Sequence, residues 1–133
     1  MRTTQYTEEN IPRIARYLGF ENEPKWLVIR FAIATSLALD EAINYDEKID
    51  FTGGQIYNWN VVTGKGKSEL HGDQADYHDL IALIMANSFA DKITGDKDLE
   101  QALEYHCERG FSILASSWKD KSDVFEWLGQ EFV

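Results

Sequence analysis

Hydrophobic positions recur first with the period of a helix. Ile11, Ile14, Ala15 and Leu18 stand at i, i+3, i+4 and i+7, with Arg13 and Arg16 on the other side and Gly19 as a stop, which predicts a helix over residues 7–19. Asn22 and Pro24 supply a capped start for the next, and from Trp26 to Leu39 the chain is apolar on nearly every face. A helix of that kind is buried on all sides. In so short a chain it argues for a second copy to cover it, and so for a homo-oligomer.

Between Asn44 and Leu70 the pattern changes to β-branched and aromatic residues punctuated by Gly53, Gly54, Gly64 and Gly66. This predicts an irregular or short β-hairpin insert over about residues 48–66. Helical spacing then returns. Asp73, Asp76 and Asp79 crowd the start of a third helix, whose apolar side is Leu80, Ile81, Ile84, Met85, Phe89 and Ile93. A fourth runs from about Asp98 to Ser117 on Leu99, Ala102, Leu103, His106, Gly110, Ile113 and Leu114. Ser122 caps a last, short one carrying Val124, Phe125, Trp127, Leu128 and Phe132. The expectation is a mainly α fold, a compact bundle of about five helices with one insert. Residues 1–118 form the domain and 119–133 an amphipathic extension.

Composition narrows the class. With 133 residues, 44% hydrophobic and 27% charged, the chain is an ordinary globular domain. Its start is polar, and its longest apolar run, interrupted by Arg30, is too short for a bilayer, so a cytoplasmic protein is expected. Cys107 is the sole cysteine and sits in a helical pattern, as a buried thiol would. The net charge of −10 is uneven: residues 1–67 hold 8 basic and 9 acidic groups, whereas residues 68–133 hold 5 and 14. Nucleic-acid contact would therefore use the first half, leaving the acidic half for solvent or a basic partner.

Few motifs carry chemistry. Gly66, Lys67 and Ser68 end like a phosphate-binding loop, but that loop needs a glycine where Val61 stands. A glycine turn with Lys65 and Lys67 exposed fits better, the lysines acting as point charges on a nucleic-acid backbone. His71, Asp73, Asp76 and His78 are ordinary metal ligands at an undiagnostic spacing, and the aspartates equally suit a helix N-terminus. His106 and Cys107 are helix neighbours pointing about 100° apart, which favours packing over catalysis. No catalytic residue, metal or cofactor is implied, and a non-enzyme is expected. Phe51, Tyr57 and Trp59, near Lys48, Lys65 and Lys67, either stack on bases or cap the helical core. Arg30, inside an apolar helix, is either paired with a carboxylate such as Glu23 or buries its stem and reaches out.

Three stretches, RFAIATSL at 30–37, GQIYNWNVVTG at 54–64 and HCERGFSIL at 106–114, resemble in order and spacing the signature regions of the DNA sulfur modification protein DndE family. The resemblance implies a small, mostly helical, non-catalytic subunit of the phosphorothioation (restriction–modification) system that replaces a backbone phosphate oxygen with sulfur. It further implies oligomers, binding of nicked duplex DNA through lysines, and work beside a cysteine desulfurase and an iron–sulfur protein. Arg30, Asn58, Gly64, Arg109 and Gly110 fall on motif positions, and Arg30, Lys48, Trp59, Lys65 and Lys67 are the DNA-binding candidates. Ile56 and Trp59 replace the charged neighbours of the family's asparagine. That difference, with the acidic second half, supports an alternative: a regulatory or protein-interaction module without direct DNA binding.

Overall fold

The computed structural model describes residues 1–39, 41–58, 61, 62, 94–119, 123 and 126. Helix α1, Gln5–Leu18, starts where the Thr4 side chain accepts from the Thr7 N–H at 3.0 Å. This bond satisfies one of the unpaired amides of the first turn. At its end the Phe20 N–H returns to the Ala15 carbonyl at 2.7 Å as the chain leaves through Gly19. Thr7, Ile11, Ile14 and Ala15 are buried and Arg16 is exposed, as the sequence spacing requires. Helix α2, Lys25–Ala38, follows Pro24 and buries Val28, Ile29, Ala32, Ile33, Thr35 and Ser36. Helix α3, Asp96–Ser117, begins with Asp96 and Asp98, and the Asp98 carboxylate accepts from the Thr94 N–H at 3.1 Å.

The side-chain pairings fix the directions. Residues 1–18 run alongside α3 in the same sense: Arg2 meets Glu104, Thr7 meets Glu108, and Arg13 meets the carbonyls of Ala115 and Trp118. Helix α2 runs against α3, with Ser36 at His106, Ala32 at Gly110 and Phe31 at Trp118. The core between them is Ile14, Ile29, Ile33, Leu103, Phe111, Leu114 and Trp118, each fully enclosed.

The mainly helical expectation holds, and of the two forms expected for the insert the described residues show the irregular one. The described residues contain three helices; the two others expected, from Asp73 and after Ser122, lie outside them, apart from residues 123 and 126, which are helical. Nor do the described residues of the insert form a hairpin. The insert pairs with the start of the chain through an isolated antiparallel bridge between Arg2 and Ile56. The Thr3 N–H donates to Gln55 O at 3.0 Å and the Tyr57 N–H to Met1 O at 2.8 Å. Gly54 permits this approach, because a Cβ there would stand 1.7 Å from the Thr3 carbonyl oxygen. The β-forming residues of the insert found a partner, but one more than fifty residues away rather than beside them. Among the described residues, no helix is long and apolar enough to cross a membrane.

Candidate functional site

Arg30 projects from the half-buried side of α2, and its guanidinium faces the short helical turn at Val61 and Val62. Nε donates to the Val62 carbonyl and Nη2 to the Val61 carbonyl at 2.8 Å, while the Trp26 ring covers the guanidinium at 4.1 Å. The planar fork suits two neighbouring carbonyls, and the ring adds a cation–π contact from one turn back on the same helix. Val62 is thereby held with no exposed surface. These partners are main-chain oxygens and a ring.

The third motif stretch meets the first across the α2–α3 seam. A Cβ on Gly110 would lie 1.9 Å from the Ala32 carbonyl oxygen, so the helices touch backbone to backbone there. One residue earlier, Arg109 caps α2: Nη2 donates to Ser36 O at 2.8 Å, Nε to Ser36 Oγ at 2.6 Å and Nη1 to Glu41 O at 2.8 Å. A cation at a helix C-terminus, where carbonyls lack amide partners, is favoured. Ser36 Oγ also lies 2.9 Å from His106 Nδ1. Arg109 Nε can only donate, so Ser36 Oγ accepts from it. Burial, reinforced by Arg109, pushes the His106 pKa down to about 4. Cys107 beside it is 2% exposed. Burial first, then the carboxylates of Glu108, Glu8 and Glu104, raise the thiol well above its ordinary range. The pair is packed as its helical geometry requires, with the thiol protonated and enclosed.

Sequence reasoning missed a second polar construction. Glu100, Glu104 and Glu108 recur every four residues on α3 and accept from Met1, Arg2, Thr4 and Thr7. The Met1 ammonium reaches Glu100 at 2.8 Å, the Arg2 N–H and Nε reach Glu104 at 2.7 and 2.9 Å, and the Thr4 and Thr7 hydroxyls reach Glu108 at 2.6 and 2.9 Å. Glu104, 4% exposed, is thus a buried carboxylate supplied with charge-assisted bonds. Glu8 gathers the insert in the same way, accepting from the Tyr57 hydroxyl at 2.9 Å and the Thr3 hydroxyl at 2.7 Å. The visible signal was the four-residue spacing of glutamates on a helix otherwise apolar at that level.

Of the DNA-binding candidates, Arg30 is engaged as described and Lys48 is exposed just after the segment that Tyr105 holds through the Tyr45 and Glu47 carbonyls. Trp59, Lys65 and Lys67, with the motif residue Gly64, lie outside the described residues, as do His71, Asp73, Asp76 and His78. Two of the three insert rings turn to the protein: Phe51 lies under the Arg2 guanidinium at 4.1 Å, and Tyr57 packs on the core. Asn58, the motif asparagine, accepts through its carbonyl from the N–H groups of Val61 and Val62 at 3.0 and 3.1 Å, opening the turn that Arg30 closes. Among the described residues no three histidine, cysteine or acidic side chains converge to hold a metal.

The described motif positions fall into two places: Asn58 and Arg30 around one turn, Arg109 and Gly110 on the seam, with Arg30 and Gly110's neighbour Ala32 both on α2. A search of curated proteins and a search of solved structures return no match. A family model does match, that of the DNA sulphur modification protein DndE, over residues 1–122, which takes in all three stretches and the N-terminal segment that braces α3. The chain belongs to the DndE family, and its role lies in DNA sulfur modification.

Proposed function

We propose that this chain is a non-catalytic subunit of the phosphorothioation machinery, a rigid helical body that contacts DNA and holds companion modification proteins beside it. One observation carries the reading. The described motif residues are spent on holding the fold, Arg30 and Arg109 on main-chain carbonyls and Gly110 on the closest helix contact. The thiol and imidazole that chemistry would need are buried in the same seam. What the motifs maintain is a shape, and a shape serves recognition. DNA contact then falls to cations outside the motifs.

The test is titration of the chain with nicked duplex at low salt, light scattering for assembly, and co-purification with the companion proteins. Retardation of the duplex together with companion capture is expected. A monomer with no affinity for either would sink the proposal. The acidic second half, net −9 over residues 68–133, favours a second reading as a regulatory module without DNA contact. Companion capture without any DNA retardation would select it.

A further inference from the structure

Most arginine charge in the described residues is consumed internally: Arg2 by Glu104, Arg30 by the 61–62 turn, Arg109 by the end of α2. Lys25 is paired with Glu8. A different situation holds where α1 and α3 end side by side. The guanidinium carbons of Arg13 and Arg16 each lie 5.9 Å from the centre of the Tyr17 ring. The Tyr17 hydroxyl donates to the Lys119 carbonyl at 2.7 Å, bringing the main chain of a third basic residue to the same ring. Arg13 is anchored through Nη2 to the carbonyls of Ala115 and Trp118, while Arg16 and Lys119 are exposed. Asp123 accepts from the Lys119 main-chain N–H at 2.7 Å. Among the described residues no carboxylate stands within ion-pair distance of any of the three cationic side chains.

We infer that Arg16 and Lys119, steadied by Arg13 and Tyr17, form a contact site for the DNA phosphate backbone, a site distinct from the lysines of the insert. The inference rests on the reading of this chain as a DNA-contacting subunit and gives that contact a place. Guanidinium forks match phosphate oxygens in pairs, and a lysine adds a point charge. The net charge of −10 does not forbid it, because at physiological salt, charges beyond about 8 Å are largely screened and the local set decides. Nor is this cluster an extension of Lys48. Tyr105 stands twelve positions before Ser117, the end of α3, about 18 Å at helical rise, so the segment leading to Lys48 and this cluster stand at different levels of the helix.

The experiment is fluorescence anisotropy of a labelled nicked duplex with the full chain across a salt series, comparing wild type with Arg16→Gln, Lys119→Gln and Lys97→Gln. Lys97 is exposed in the first turn of α3, away from the cluster, and controls for the change in net charge. Each of the first two variants is expected to weaken binding roughly threefold and to lower the salt slope by about 1, as loss of one phosphate contact does, with Lys97→Gln unchanged. Wild-type affinity and slope in both Arg16→Gln and Lys119→Gln would overturn the site while leaving DNA contact by the chain intact. Unchanged DNA binding with lost companion capture would also overturn it, marking a protein-docking face. Absence of binding by the wild type at low salt would remove the DNA reading and this site together.

Discussion

At the scale of single residues, Gly110 carries the firmest consequence. The atom that a larger side chain would meet is the Ala32 carbonyl oxygen, which is backbone and cannot swing aside. Gly110→Ala is expected to lose about 2–3 kcal/mol in urea unfolding, after allowing the roughly 1 kcal/mol by which alanine is the better helix former. An unchanged midpoint would mean that the helices part without cost. The glycine was legible only as a motif member, because its role depends on a facing oxygen some eighty residues earlier. His106 and Cys107 were easier to read, since their helical spacing alone sends them into the core. Arg30 was legible as an anomaly but not as a clamp. The clamp closes on main-chain carbonyls, and those carry no signature in the identity of Val61 and Val62.

At the scale of elements, α1, α2 and α3 follow from apolar period, with Gly19 stopping α1, and that level was largely readable; the capped start expected at Asn22 is not found, since α2 begins after Pro24 without a side-chain cap bond. What joins them was not, because a cap donated by another helix leaves no local pattern. Arg109 and Ser36 close the end of α2 while His106 stays neutral beneath them. This arrangement sets a pH dependence. The folded imidazole takes a proton only near pH 4, whereas the unfolded one does so near its ordinary 6.5. Between those values the unfolded chain binds more protons, so the contribution is complete above pH 6.5 and is lost as pH falls towards 4. From pH 6 to 5 the loss is about 1 kcal/mol, and His106→Gln is expected to flatten the stability profile by that amount. A variant whose profile parallels the wild type's would show that the imidazole is accessible in the folded chain.

At the scale of the whole molecule, the balance of charge and the helical class were plain from composition and period, whereas the placing of the insert was not. Strand propensity in residues 48–58 reported a demand for pairing, and pairing with itself was the local solution; the chain instead uses residues 1–3, joined by bonds spanning more than fifty positions. The enclosed Cys107, the only thiol, lies behind that segment and offers a probe of it. Thiol reagents are expected to label it at the rate of global opening, slowing in parallel with every stabilising condition. Fast labelling insensitive to denaturant would mean that the N-terminal segment lifts away by itself.

The parallel course of α1 along α3 has a consequence for how the molecule comes into being. The carbonyls and carboxylates that receive Arg2, Thr4, Thr7 and Arg13 belong to residues about a hundred positions later. Synthesis therefore delivers the first helix long before anything exists for it to rest on. Contacts so distant in sequence close slowly, and until then the apolar side of α1 is exposed to whatever else is present. The nascent chain reaches its native form only once Trp118 has cleared the ribosome, so its first residues are among the last to find their place.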